Sequence, residues 1–88
     1  MKKIFGKRLK EERLKNGEQQ KDLAEDIKVD TSMISLWENG KNYPKVEKLI
    51  EIAFHYNISI DYLLGLESGK KYINSFNNFN NSGNIDIR

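Results

Sequence analysis

The spacing of apolar side chains predicts an all-α chain up to about residue 66. Apolar residues recur three and four positions apart, as they do along helices with one buried face. Glycine, proline and short capping residues divide this pattern into separate segments. We therefore predict five helices, over about residues 3–15, 20–27, 31–39 and 44–56, with a short fifth helix between its N-cap Ser59 and Gly65.

The second and third segments meet at a tight turn. Leu23, Ala24 and Ile27 share one side of the second segment, and Ile34 and Trp37 share one side of the third. The small Ala24 side chain lets two steeply crossing helices approach closely. This arrangement is typical of a helix-turn-helix, whose second helix fits a DNA major groove of about 12 Å width. Periodicity alone leaves open a plain two-helix corner in an all-α domain.

The other side of the third segment carries small polar groups. A helix that is merely solvated usually shows Lys/Glu pairs, whereas this one shows hydroxyls, an amide and one leucine. The composition indicates a surface that forms hydrogen bonds with a partner. Its residues are Thr31, Ser32, Ser35, Leu36 and Asn39.

The fourth segment is the most apolar of the five. Pro44 suits the first turn of a helix, so we expect the helix to begin near that residue. Its expected inward face comprises Val46, Leu49, Ile50, Ala53 and Phe54.

Composition limits the class of protein. A chain of 88 residues fits one domain, with a core small enough to need tight packing or a second subunit. It contains no cysteine, which leaves no disulfide or zinc-thiolate site and is typical of the reducing cytoplasm. No apolar run approaches about 20 residues and no signal peptide is evident, so we expect a soluble cytoplasmic protein without a membrane partner.

Charge is unevenly distributed, although the net charge is only +2. Residues 1–15 hold seven basic and two acidic side chains, whereas residues 18–30 hold five acidic and two basic ones. Lys41, Lys45 and Lys48 follow the third segment. Basic flanks of this kind can bracket a nucleic acid, and ordinary solvation of Lys/Glu-rich helices explains them equally well.

An ordered set of residues extends over positions 5–66. It comprises Gly6, Leu9 and Arg13, then Gln20, Leu23 and Ala24, then Ile34, Ser35 and Trp37-Glu38-Asn39-Gly40, then Pro44 and the run IEIAFHYNISIDYLLGL. This set resembles the Cro/C1-type (XRE) helix-turn-helix family of bacteria and their phages. The resemblance implies a five-helix, lambda-repressor-like fold over residues 1–66. It also implies a sequence-specific transcriptional regulator, most simply a phage or mobile-element repressor, and not an enzyme.

The resemblance assigns the outward side of the third helix to the major groove of double-stranded DNA. Thr31, Ser32, Ser35 and Leu36 are the predicted base-reading residues. Hydroxyls can donate to or accept from several base edges, whereas Leu36 and the Thr31 methyl group can contact a thymine methyl group. We therefore expect A·T pairs at the contacted positions. For Leu36, the alternative is that it covers the loop after the third helix.

Four residues are predicted to hold the DNA backbone. In the family, the residue matching Gln20 and those just after the third helix contact phosphates, which positions the protein without reading sequence. For Gln20, the alternative is an ordinary role at the start of a helix. The predicted set is Gln20, Asn39, Lys41 and Asn42.

Arg13 and Glu38 match an ion pair that the family buries between the first helix and the end of the third. Both members are present in this chain. The alternative is that Arg13 extends to a DNA phosphate.

Four residues depart from the family pattern. Lys28 stands in the turn where glycine is usual, so it is expected to accept a positive φ at about 1 kcal/mol or to alter the turn. Glu12 and Glu18 replace apolar core residues, which predicts looser packing or an opened rim. Gln19 is a weaker N-cap than serine or threonine.

No cofactor or metal site is predicted. His55 is the single histidine of the chain and lies between Phe54 and Tyr56, without a metal-binding or catalytic-triad pattern around it. We interpret it as a packing or surface residue. No phosphate-binding glycine loop or carboxylate pair indicates an enzyme.

Residues 67–88 differ in composition from the rest of the chain. Residues 67–71 have the composition of a linker, and residues 72–88 are rich in asparagine, with six between positions 74 and 84. The spaced aromatic and isoleucine side chains leave two interpretations, a disordered tail or short strands that assemble between subunits.

We expect a homodimer or a higher homo-oligomer on a palindromic operator. An antitoxin-type protein that binds a toxin partner and autoregulates its operon is the alternative function. The predicted subunit interface lies in the tail or around the fourth and fifth helices, where its residues are Tyr56, Ile58, Ile60, Leu64 and Leu66.

Overall fold

A computed structural model describes residues 1–66. The predicted linker and the asparagine-rich tail, with its two interpretations, lie in residues 67–88, outside the described part. The described residues form five helices, which confirms the predicted all-α class. They are α1 (Lys2–Lys15), α2 (Gln20–Ile27), α3 (Thr31–Glu38), α4 (Val46–Tyr56) and α5 (Ile60–Leu64).

One apolar core joins all five helices. Helix α1 packs against α3 and α5, and α2 packs against α3 and α4. The α2–α3 pair therefore rests on a support formed by the other three helices. The core residues are Phe5, Leu9, Leu23, Ala24, Ile27, Ile34, Trp37, Ile52, Ala53, Tyr56, Ile58 and Leu63.

Helix α4 differs from its prediction in both its start and its buried face. It begins at Val46, two residues later than Pro44. Pro44 lies in the preceding loop, and Lys45 has the extended backbone of an N-cap, with ψ 157°. Val46 is 70% exposed, Ile50 39% and Phe54 58%, so the prediction that these three face inward is wrong. Apolar residues cover more than half of the circumference of this helix. Two overlapping apolar stripes therefore fit the helical period, and packing on α2 and α5 buries the one containing Ile52, Ala53 and Tyr56.

The two glutamates that depart from the family pattern occupy different environments. Glu12 is 3% exposed and its carboxylate lies 3.7 Å from Lys15 Nζ. Glu18 is half-buried and accepts a hydrogen bond of 2.7 Å from the Tyr56 hydroxyl. Burial and this hydrogen bond raise the pKa of Tyr56 above its ordinary value, so the phenol remains neutral in the folded chain. A polar contact thus replaces the apolar one expected at Glu18.

The turn between α2 and α3 has the conformation expected from its unusual lysine. Lys28 has φ 60° and ψ 53°, in the left-handed region. The Val29 N–H then donates to the Ala24 carbonyl at 3.0 Å, which closes the end of α2. At the other end of α2, the Asp22 carboxylate accepts a hydrogen bond of 2.8 Å from the backbone N–H of Gln19. This contact strengthens a helix start that glutamine alone caps weakly.

Replacing Lys28 by glycine is expected to stabilise the domain by up to about 1 kcal/mol, because glycine adopts a positive φ without the strain of a Cβ atom. Urea denaturation of the purified variant measures this change. Lys21→Gly is the matched control, since Lys21 is an exposed residue within α2 and its replacement should cost about 1 kcal/mol. Equal destabilisation by both substitutions would contradict the account of the turn.

Candidate DNA interface

Helix α3 has one side fixed in the core and one side open to solvent. Ile34 and Trp37 are 0% and 2% exposed and anchor the helix. Thr31 and Ser32 are exposed in its first turn, directly after Asp30. One turn later Ser35 is half-buried and Leu36 is 39% exposed. The four predicted base-reading residues thus share the outward side of a helix whose inner side is buried in the core.

The end of α3 is closed by backbone hydrogen bonds. The N–H of Gly40, which has φ +72°, donates to the Trp37 carbonyl at 3.1 Å. The N–H of Lys41 donates to the Leu36 carbonyl at 3.0 Å. These two bonds form a Schellman motif, in which glycine accepts the left-handed conformation. The amide hydrogen of Lys41 is therefore used within the chain, and its exposed side chain is the group left for an external anion.

Asn39 and Asn42 flank this motif and are both exposed. The Asn39 side-chain amide donates to the Ser35 carbonyl at 2.8 Å and lies 3.3 Å from Ser35 Oγ. This contact couples one predicted phosphate ligand to one predicted base-reading residue. Three of the four predicted phosphate ligands thus lie just after α3, and the fourth, Gln20, lies at the start of α2.

The Glu38 carboxylate links the first three helices. It accepts hydrogen bonds from Arg13 Nε at 2.6 Å and Arg13 Nη2 at 3.0 Å. Gln20 Nε2 donates to the same carboxylate at 3.0 Å. The remaining Arg13 nitrogen, Nη1, donates to the Glu18 carbonyl at 2.8 Å. Because Arg13 is on α1, Gln20 on α2 and Glu38 on α3, this network sets the position of α3 relative to both neighbours.

The Arg13–Glu38 pair is almost fully desolvated. The two side chains are 7% and 3% exposed. Hydrogen bonding to Glu38 raises the pKa of Arg13, so the guanidinium stays charged. All three guanidinium nitrogens are engaged inside the domain. Arg13 is consequently directed inward, and the alternative that it extends to a phosphate has no support in this geometry.

Gly6 allows α1 to approach the end of α3. A Cβ atom at this position would collide with the Trp37 carbonyl oxygen and lie 2.7 Å from the Glu38 carbonyl oxygen. The sequence marked Gly6 only as part of the family pattern. The structure gives its physical reason, which is contact between two helix backbones beside the Arg13–Glu38 pair.

The predicted subunit interface divides into buried and accessible residues. Tyr56 is 7% exposed and Ile58 0%, and both belong to the core of the chain itself. They have no surface to offer a second copy, so their assignment to the interface is corrected. Ile60 and Leu64 are half-buried and Leu66 is 41% exposed.

The sequence also missed an apolar stripe on the surface. Val46, Ile50 and Phe54 lie at intervals of four along α4 and are all exposed. Their common spacing is visible in the sequence, where it predicts a buried face instead of a surface stripe.

His55 faces two carboxylates that are distant in sequence. Its Nε2 lies 2.7 Å from Glu18 Oε2 and 3.6 Å from Asp26 Oδ2. The imidazole also meets the Tyr56 ring edge-on, with centroids 4.6 Å apart. The sequence interpretation of a packing or surface residue therefore omitted specific polar partners.

Comparison with known proteins agrees with this geometry. The family model described as "Helix-turn-helix" matches residues 9–63. The HTH-type transcriptional regulator ImmR of Bacillus subtilis (strain 168) is 39% identical over 67 residues, which cover 76% of this chain and 53% of ImmR. The HTH-type transcriptional activator BcrR of Enterococcus faecalis is 38% identical over 63 residues, which cover 72% of this chain and 31% of BcrR.

The chain belongs to the Cro/C1-type helix-turn-helix family of DNA-binding domains. This family consists of transcriptional regulators and not generally of enzymes, in agreement with the sequence prediction. The chain spans about half the length of ImmR and about a third of BcrR. Within residues 1–66, no helix is long and apolar enough to cross a membrane.

Proposed function

We propose that residues 1–66 form the sequence-specific DNA-binding domain of a transcriptional regulator, with α3 in the major groove. The observation that carries this proposal is the two-sided character of α3. Its inner side is fixed by Ile34 and Trp37, and its outer side offers the hydroxyls of Thr31 and Ser32. A held helix with accessible hydrogen-bonding groups in its first turn suits the docking geometry of this motif.

Base reading is assigned to Thr31, Ser32, Ser35 and Leu36. The hydroxyls are versatile hydrogen-bonding groups and discriminate modestly one at a time. The exposed part of Leu36 and the Thr31 methyl group add apolar contacts that favour thymine. This combination supports an operator that contains A·T pairs where α3 contacts it.

Backbone contacts are assigned to Gln20, Asn39, Lys41 and Asn42. Gln20 gives one amide hydrogen to Glu38, and its second amide hydrogen is available for a phosphate oxygen. Glu38 would then orient the Gln20 amide while it also holds Arg13. In this arrangement the Arg13–Glu38 ion pair would affect DNA binding indirectly, because Glu38 also sets the position of the Gln20 amide.

Replacing Lys41 by alanine is expected to weaken binding to operator and non-operator DNA by a similar factor. The reason is that a phosphate contact carries no sequence information, and its loss should lower the salt dependence of log K by about one unit. Fluorescence anisotropy over a range of salt concentrations measures both quantities. Lys10→Ala is the matched control, since Lys10 is exposed on α1. A loss confined to operator DNA would show that Lys41 reads bases instead.

We further propose that two copies bind a palindromic operator, as a repressor of the phage or mobile-element type. The small core of residues 1–66 and the exposed Leu66 support association around α4 and α5 or through residues 67–88. BcrR is named an activator and ImmR a regulator, so the direction of regulation requires its own measurement. A reporter gene placed downstream of the selected operator should fall in expression when the chain is supplied.

A binding selection on random DNA with the full chain of 88 residues tests the proposed function. We expect enrichment of an inverted repeat whose half-sites lie about 10 base pairs apart, centre to centre, with A·T pairs in each half-site. Enrichment of a single half-site would support sequence-specific DNA binding and contradict the proposal that two copies bind one operator. Failure to enrich any sequence would reject the proposed function.

A further inference from the structure

We propose that Glu18, Asp26 and His55 form a binding site for a zinc ion. Each residue offers one ligand atom, and these three atoms lie within 4.8 Å of one another. They come from three parts of the fold: the loop before α2, α2 itself and α4. The site is separate from the residues assigned to DNA and does not depend on the proposed function.

The two distances from His55 to the carboxylates are close to those of a tetrahedral site, and all three donor atoms lie within 4.8 Å of one another. In a tetrahedral site, ligands at zinc bond lengths of about 2.0–2.2 Å lie roughly 3.3–3.6 Å from one another. His55 Nε2 is 3.6 Å from Asp26 Oδ2 and 2.7 Å from Glu18 Oε2. Insertion of the ion therefore requires the imidazole and the Glu18 carboxylate to separate by about 0.6 Å, a movement within reach of side-chain rotation. A water molecule would complete the coordination.

The buried side of the site is already ordered. Tyr56, which is 7% exposed, donates its hydroxyl hydrogen to Glu18 Oε1 at 2.7 Å. That bond leaves Glu18 Oε2, the oxygen nearer to His55, for the metal. The edge-on contact between the His55 and Tyr56 rings fixes the imidazole in turn. Partners of this kind orient metal ligands and strengthen binding.

Electrostatics also favour a dication at this position. One imidazole nitrogen faces two carboxylates. It lies within hydrogen-bond distance of Glu18 but not of Asp26, which is 3.6 Å away. A zinc ion compensates both carboxylates and accepts the neutral imidazole as a ligand. Mixed nitrogen and oxygen donors favour zinc over Ca²⁺ or Mg²⁺, which prefer oxygen ligands alone.

Zinc at this site would join α2 to α4. Glu18 precedes α2, Asp26 lies near the C-terminal end of α2, and His55 lies near the C-terminal end of α4. The ion would hold α2, the first helix of the helix-turn-helix pair, against α4. Since binding to the folded state alone adds stability, we expect zinc to raise the melting temperature of the chain by at least about 4 °C at saturation.

Titration of the tag-free full chain with zinc chloride tests the proposal by calorimetry and by NMR. His55 is the single histidine, so its imidazole resonances report on this site alone. We expect one zinc ion per chain and a shift of these resonances that saturates with it. His55→Gln and Asp26→Asn should each weaken binding about tenfold or more. Glu25→Gln is the matched control on the exposed side of α2 and should leave zinc binding unchanged.

Three outcomes would overturn the proposal. The first is no heat of binding and no change in the His55 resonances at millimolar zinc, which would make the cluster an ion pair only. The second is zinc binding of equal affinity in the His55→Gln variant. The third is weakening by Glu25→Gln as large as that by Asp26→Asn. Circular dichroism of each variant shows that a loss of binding is not a loss of fold.

Discussion

Replacing Arg13 by alanine is expected to lower the free energy of unfolding by about 3–5 kcal/mol, because it leaves the Glu38 carboxylate buried without its ionic partner. The Glu38 side chain is 3% exposed and receives two of its three hydrogen bonds from Arg13. A domain of this size is stable by only about 3–10 kcal/mol. The variant should therefore lose a large part of the stability of the domain.

Urea denaturation and thermal melts of Arg13→Ala measure this loss, with Lys10→Ala as an exposed control expected to change stability by less than about 0.5 kcal/mol. The double variant Arg13→Met/Glu38→Met should regain part of the loss, because it removes both buried charges together. An Arg13→Ala variant that melts like the wild type but binds DNA weakly would show that Arg13 contacts a phosphate and would contradict the inward geometry.

Replacing Gly6 by alanine is expected to destabilise the domain by about 1–3 kcal/mol or more, because the added methyl group meets two backbone carbonyls that cannot rotate away. The sign is opposite to the usual one, since Gly→Ala within a helix ordinarily stabilises by about 0.5–1 kcal/mol. The methyl group would contact the carbonyls of Trp37 and Glu38. Relief requires α1 to move away from α3, which also stretches the Arg13–Glu38 hydrogen bonds.

The neighbouring exposed residue provides an internal reference for this prediction. Lys7 is exposed on α1, so Lys7→Ala should be more stable than Lys7→Gly by about 1 kcal/mol. The order of alanine and glycine should therefore reverse between positions 6 and 7 in thermal melts. The same order at both positions would mean that α1 and α3 do not approach as closely as described.

The helix-turn-helix pair was predictable from sequence because its signals are local. The spacing of Leu23 and Ile27, and of Ile34 and Trp37, places one side of each helix in the core. The positive φ of Lys28 is one of the two outcomes that the family resemblance implied for this turn, the other being an altered turn. These features depend on residues close together in the chain.

Other features were not predictable because they depend on packing between distant segments. Helix α4 carries two overlapping apolar stripes, and only its contacts with α2 and α5 determine which one is buried. His55 and Glu18 are 37 positions apart, so no local pattern brings them together. The collision that an alanine at Gly6 would cause likewise depends on the α1–α3 approach.

The specificity ratio of the Thr31→Ala/Ser32→Ala variant tests the central claim most directly. This ratio compares affinity for the selected operator with affinity for unrelated DNA, and Glu47→Ala on the exposed side of α4 serves as control. Hydroxyl contacts lie at the lower end of the range of about 1–3 kcal/mol for a base contact, so the two together are expected to contribute about 2 kcal/mol and the ratio to fall by about 30-fold. Affinity for unrelated DNA and thermal stability should stay near wild type. An unchanged ratio in a folded variant would contradict the assignment of base reading to α3.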